Sequence, residues 1–435
     1  MQASKIRYII YVHLTKMSLK EKGAHFMAEK ILEKKIRKTL VGLLFLGWAL
    51  GNLDRYLMNY AVVYIGEDLS LTSTETGLIL SSFFLGYALM QLPGGIMADK
   101  FGAKRILLIA VIAWSIFTGL TAVAGTLGIL LVIRFLFGIG EGGFQPSASK
   151  IISTSFPENE RSKVMSIMLS SSGIMGMLVP IISAALLVTI GWRAFFVIAG
   201  LLGIVIALLY RKFVPKDEVV QQSADGLQVR GILGDLFKMP LMWSLVVAYF
   251  TIYAVNWGLN TWMPTYLSDV RGLDLVSIGW LQMIPGIITI GALLVSGYVI
   301  DKVDLKVNRI IGAVCALLLA GFLLLMFNAE SITLFITYQC IIMLLMTYVL
   351  LLLPSFVLKK IPSNYAGTAM GMANTGGQLA GFVTPTLIGF MVDAFDGSYD
   401  AAVWMLVVIS VICVASILTI SPKTQASKED SYECA

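Results

Sequence analysis

Between Leu40 and Ile420 the chain repeats one pattern: about 20 apolar residues, then a short polar break. A helix of that length matches the ~30 Å hydrocarbon core of a bilayer. No water is present there to satisfy backbone groups, so only helices or a closed barrel can cross. Reading the runs between breaks predicts twelve spans, at 39–62, 76–98, 105–124, 127–149, 163–188 and 192–213, then at 241–266, 277–300, 308–327, 332–357, 365–391 and 401–420. The expected fold class is an all-α integral membrane protein of two six-helix bundles. Charged residues make up 13% of the chain, about half the share of a soluble domain. With 57% hydrophobic residues and a mean hydropathy of +0.84, a polar surface on all sides is excluded.

Lys and Arg set the orientation. Ten precede the first span, and alternate loops at 99–105, 150–163, 211–240, 301–309 and 359–364 hold 3, 3, 5, 3 and 2; with two in the tail, 28 of 32 lie on one side. Both termini are therefore expected in the cytoplasm. The pI of about 9.0 is then mostly a topology signal, and nucleic-acid binding is not inferred from it. No signal peptide is expected at the N-terminus, and Met1, Met17 and Met27 all stay open as starts.

Five segments follow: a basic cytoplasmic segment 1–38, a first bundle 39–213, a cytoplasmic loop 214–240, a second bundle 241–420 and a tail 421–435. An internal repeat supports the division. GLILSSFFLGYALMQLPGGIMADK (77–100) aligns with GWLQMIPGIITIGALLVSGYVIDK (279–302) at an offset of 202, placing Gly77 on Gly279 and Asp99 on Asp301. Parallel six-helix repeats are a transporter architecture with the substrate site between the halves.

Four charges lie deep in these spans: Asp54 and Arg55 in the first, Arg134 and Glu141 in the fourth. Each costs at least ~2.5–3.5 kcal/mol at bilayer depth and so needs a partner or a wet cavity. Arg134 and Glu141, seven residues apart, share one helical face, and Arg134 is expected at the depth of Asp54. Arg55 offers a planar fork that matches a carboxylate; a structural ion pair to Asp54 or Glu141 is the alternative. For the two acids, burial favours the neutral form and a nearby arginine the charged one. Their proton affinity then depends on whether Arg55 and Arg134 are engaged elsewhere, as proton coupling needs; permanently ionised structural partners are again the alternative. Arg134 is expected to pair with Asp54 or Glu141.

At the repeat offset Asp54 and Arg55 fall on Asn256 and Trp257, so the second half opposes the charges with an amide and an indole. Asn256, Trp257, Asn260, Asn374 and Gln378 are candidate donors and acceptors for a hydroxyl-rich anion, with interhelical hydrogen bonding as the alternative, and Tyr87 is a candidate cavity hydroxyl. Gly138–Gly143 fits G-x-G-x-x-G but follows no strand; it is read as helix packing, as are Gly367/Gly371, Gly377/Gly381 with Gly389, and Ser172/Gly176/Pro180. His13 and His25 are the only histidines. Cys315, Cys340, Cys413 and Cys434 show no metal or disulfide spacing. No cofactor, metal or enzymatic motif is expected.

The stretch Gly95-Ile-Met-Ala-Asp99-Lys-Phe-Gly102-Ala-Lys104-Arg105 resembles the signature loop of the major facilitator superfamily, and the second copy keeps Gly297, Asp301 and Arg309. More narrowly, Asp54-Arg55, FFLGYALMQLPGG (83–95), IRFLFGIGEGGFQP (133–146), GWRAFF (191–196) and NTWMPTYL (260–267) resemble its anion:cation symporter family, which includes hexuronate, glucarate and galactonate transporters. The resemblance implies that Arg55 holds the substrate carboxylate and that Asp54 and Glu141 form the proton-coupling pair. Asp99, in that cytoplasmic turn, can pair with basic residues and a helix N-terminus as a conformational latch; Arg105 and Asp301 are the other latch candidates, with plain obedience to the inside rule as the favoured alternative for Lys100, Lys104 and Arg105. The expected protein is a monomeric, proton-coupled importer of a small organic anion, a sugar acid, in the cell membrane. An exchanger or exporter of anions or phosphorylated solutes, and a membrane sensor or assembly protein, are the alternatives.

Overall fold

The computed structural model of the chain describes residues 19–214, 234–361 and 363–420, nearly all helical. Residues 1–18 of the basic segment, 215–233 of the central loop and the tail 421–435 lie outside the described residues, as does Cys434. The helices are α1 (Leu19–Leu69), α2 (Ser73–Phe101), α3 (Ala103–Thr121), α4 (Leu127–Gly142), α5 (Phe144–Ser155) and α6 (Glu158–Phe213) in the first half. In the second half they are α7 (Pro240–Asp269), α8 (Leu275–Lys302), α9 (Leu305–Phe327), α10 (Ile332–Lys360), α11 (Ser363–Ala394) and α12 (Asp400–Thr419). By length and hydropathy eight stretches among the described residues qualify to cross a membrane, or nine with the bent α2 counted as one. Expected spans 39–62, 76–98 and 365–391 coincide with α1, α2 and α11. The helices are consistent with twelve spans.

The breaks between helices have local causes. Gly191 has φ 75° in the middle of α6, a left-handed conformation cheap only for glycine, and it divides 56 helical residues into the two expected spans. Gly102, at φ 92°, turns α2 into α3 within the signature loop. Thr72 starts α2 with a capping box: its hydroxyl accepts from the Glu75 N–H and the Glu75 carboxylate accepts from the Thr72 N–H. Asp274 caps α8, and hydrogen bonds from the Ser277 hydroxyl and N–H hold its carboxyl below the ordinary range.

The small residues do what packing in lipid requires, where close van der Waals approach replaces the hydrophobic drive. A side chain at Gly138 would run into the Phe83 carbonyl, and one at Gly86 into that of Phe135, so the backbones of α2 and α4 touch. Gly140 lies on Trp114, Gly377 on Tyr253 and Gly381 on Phe84. Between the halves, Gly279 of α8 meets Pro180 and Ala184 of α6, and Gly286 lies against Gly176 and Met177. Gly371 is a correction: nothing lies within 4 Å of its missing side chain, so no packing need accounts for it in this conformation. Apolar side chains cover the outer faces, among them Leu294 at 75% and Val123 at 74% exposure. That coat suits lipid and not water.

The halves meet at the end of the bundle where α1 ends, α2 begins and α11 ends. This far end is opposite the basic end marked by Lys100, Lys104 and Arg105. The Ser73 and Thr74 N–H groups donate to Asp393, the Thr386 N–H and hydroxyl contact the Ser81 hydroxyl, and Gly389 abuts Ser73. One large apolar cluster continues across both halves.

Candidate functional site

A cavity of about 380 Å³ lies between the halves. Its walls carry Asn52, Arg55, Tyr56 and Asn59 of α1, Ser172 of α6, Asn256, Trp257 and Asn260 of α7, Gln282 of α8 and Gln339 of α10. Arg55 is the one charged residue among those lining it.

The four intramembrane charges resolve into two ion pairs between α1 and α4. Arg134 Nη1 lies 2.8 Å from Asp54 Oδ1, and Arg55 Nη2 lies 2.7 Å from Glu141 Oε1. Residues 54 and 55 are about 100° apart around α1, so they turn to different partners on one α4 face. The pairs differ in their surroundings. Asp54 also accepts from the Thr118 hydroxyl at 2.6 Å and is sealed among Leu50, Trp114, Thr118 and Ala199, away from the main cavity. The Arg134 guanidinium lies 4.8 Å from the Phe137 ring centre. Arg55 instead reaches the cavity wall with 11% of its side chain exposed, against 1% for Glu141.

Rings frame Arg55. Its guanidinium carbon lies 4.7 Å from the Phe83 ring centre, 5.1 Å from that of Tyr87 and 5.8 Å from that of Trp257 in the other half. Aromatic faces hold a cation at modest energy without satisfying its N–H groups. Arg55 Nε, Trp257 Nε1 and Glu141 Oε2 are buried and have no hydrogen-bond partner. Arg55 and Trp257, both on the cavity wall, come from opposite halves; Arg134 Nε and Trp114 Nε1, off that wall, are likewise without a partner.

Several expected residues fall elsewhere. Tyr87 does not line the cavity: it lies beneath Arg55, its hydroxyl 3.3 Å from Gln145 Oε1. Gln378 is buried, off the cavity wall, with Oε1 unpartnered; Asn374 is also off that wall. Asn256 and Trp257 line the cavity as expected from the repeat. Asp99 pairs with Lys150 of its own half, while Arg105 and Asp301 are exposed and enter no ion pair among the described residues.

Sequence reasoning missed other polar wall groups. Gln282 and Gln339 face each other in a reciprocal amide pair, with N···O distances of 3.1 and 2.8 Å. Asn59 donates at 3.0 Å to the carbonyl of Asn260 across the halves. Pro264, four residues on, has no N–H to offer that carbonyl, so the proline was the available signal. Trp48 donates to Ser172 at 2.7 Å. Among the described residues no group of three or more His, Cys, Asp or Glu could hold a metal ion.

The Major Facilitator Superfamily pattern matches residues 43–385. The chain is 32% identical over 395 residues to the probable sulfoacetate transporter of Cupriavidus necator, covering 84% of this chain and 89% of that one. It is 30% identical over 416 residues to the hexuronate transporter of Bacillus subtilis, covering 89% and 97%. Among solved structures, that of a D-xylose–proton symporter superposes with a TM-score of 0.75 over 89% of this chain and 98% of the other; at 16% identity the likeness is one of fold.

Proposed function

Because this chain belongs to the Major Facilitator Superfamily, and is a multi-pass membrane transporter and not an enzyme, we propose that it carries a small organic anion, a sugar acid, into the cell with protons by alternating access. The observation that carries this reading is Arg55, the one charged residue among those lining the 380 Å³ cavity, its guanidinium carbon 5.8 Å from the Trp257 ring of the other half. A cavity of that size suits a small molecule. The curated relatives are named for sulfoacetate and hexuronate, both anions.

The coupling follows from Arg55 having two claims on it. With the cavity empty, the guanidinium neutralises Glu141. An anion that takes the fork in bidentate fashion draws it from Glu141, and a buried carboxylate without its cation is stable only when protonated. Substrate and proton therefore enter together, and the loaded site carries no unpaired charge when the halves rock. Asp54 has a different place in this scheme. Thr118 and Arg134 hold it behind the wall, so its proton exchange requires Arg134 to let go. Arg134 positions Asp54. Asn256, Gln282 and Gln339 supply neutral donors and acceptors for hydroxyls. An exchanger of phosphorylated solutes would need cations from both halves, and the wall carries one.

The test is uptake by proteoliposomes of labelled glucuronate, gluconate and sulfoacetate, with and without an inward proton gradient. Gradient-stimulated uptake of at least one supports the reading; gradient-insensitive uptake of all that are carried overturns proton coupling.

A further inference from the structure

Asp393 occupies the last turn of α11, where a carboxylate faces the negative end of its own helix dipole. Its own helix gives no reason for an acid at that place. The first turn of α2 does. The carboxylate accepts from the Ser73 N–H at 3.0 Å, the Thr74 N–H at 2.7 Å and the Thr74 hydroxyl at 2.5 Å, all in the other half of the molecule. These are charge-assisted bonds to N–H groups that a helix start leaves unpaired.

Two features make this contact breakable. The cap of α2 is complete without it, since Thr72 and Glu75 satisfy each other's backbone N–H groups; α2 does not unwind when Asp393 leaves. Asp393 is also exposed, so water can replace it. Behind it the two helices run antiparallel in close contact, Gly389 on Ser73, Thr386 on Ser81 and Gly77 on Pro385. Small residues permit this approach, and Asp393 adds a charge that reaches across it.

We propose that Asp393 is a far-end latch that holds the halves closed on that side, the counterpart of Asp99 at the opposite end of the α2–α11 pair. Here Asp393 is engaged across the halves while Asp99 is bonded to Lys150 in its own. Opening the far end breaks the Asp393 bonds. The proposal rests on alternating access, and neither the substrate nor the coupling ion enters it.

The experiment uses the full chain in lipid nanodiscs, without substrate, with its four native cysteines replaced by alanine. Nitroxides on Ser70→Cys and Phe395→Cys report the far-end separation by pulsed electron resonance. In Asp393→Asn the open population should rise about tenfold, the change that 1.4 kcal/mol produces, and Thr74→Val, which keeps the acid, should shift it the same way by less. If Asp393→Asn does not fold, the Thr74→Val shift decides. An unchanged distance distribution in the variants that fold overturns the latch. Because no substrate is added, failure of the transport reading leaves this result standing, and the converse.

Discussion

Arg55 and Glu141 meet at 2.7 Å between α1 and α4, yet each keeps one buried polar atom without a partner, Nε on the arginine and Oε2 on the acid. Asp54 and Arg134, one residue and seven residues away along the same two helices, also pair, and Asp54 accepts a further bond from Thr118; neither lines the cavity. Both arginines keep a buried Nε without a partner and both have rings beside them. What separates the pairs is access: of the four residues Arg55 alone lines the cavity, and we propose on that ground that Arg55 and Glu141 are the pair that changes partners.

Arg55→Lys keeps the charge and loses the planar fork. Transport should fall at least tenfold, on the order of 1.4 kcal/mol, with the detergent melting temperature within a few degrees of wild type. Transport rates near wild type, measured in proteoliposomes, would remove the carboxylate clamp.

The two pairs should differ in stability. Arg134→Ala leaves the enclosed Asp54 without its cation, a loss of about 3–5 kcal/mol, whereas Arg55→Ala removes a side chain of the cavity wall, which opens Glu141 to water. Thermal unfolding of the two variants should rank Arg134→Ala clearly lower. Equal melting temperatures would mean that the pairs are equivalent.

Gly138→Ala places a methyl group against the Phe83 carbonyl and should cost about 1–3 kcal/mol by overpacking. Gly119→Ala meets nothing within 4 Å and should be neutral or slightly stabilising in its helix. The comparison is again one of melting temperature; a neutral Gly138→Ala would refute the backbone contact of α2 and α4.

These contrasts show what the sequence made legible. Apolar run length needs only one dimension, and the predicted spans fall on the helices. The offset of 202 brought Asn256 and Trp257 opposite Asp54 and Arg55, and both line the cavity. Depth arithmetic put Arg134 level with Asp54, and they pair. Rotation about a helix axis is less legible. Gln378 was chosen as polar and intramembrane, but its face of α11 misses the wall, while Gln282 and Gln339, equally visible as amides in apolar runs, face it. Tyr87 has the right depth and packs under Arg55 instead of beside the cavity. The Asp393 contact joins residues some 320 positions apart, which no local pattern encodes.

We propose that hydroxyl recognition lies on α8 and α10, whose Gln282 and Gln339 line the cavity. Gln282→Leu should weaken inhibition by polyhydroxylated acids relative to their deoxy analogues by about 1–3 kcal/mol, since it leaves Gln339 unpaired and removes a donor. Gln378→Ala should leave the order of preference unchanged. Competition by paired acids differing in one hydroxyl decides between them, and the reverse ranking would return recognition to α11.

The central claim, that Glu141 takes up a proton when the substrate draws Arg55 away, is tested most directly by Glu141→Gln in proteoliposomes. Glutamine keeps the volume and fixes the neutral state. Exchange of labelled for unlabelled substrate should persist, and accumulation driven by an inward proton gradient should be lost. Accumulation against a concentration gradient at the wild-type level in Glu141→Gln would contradict the account.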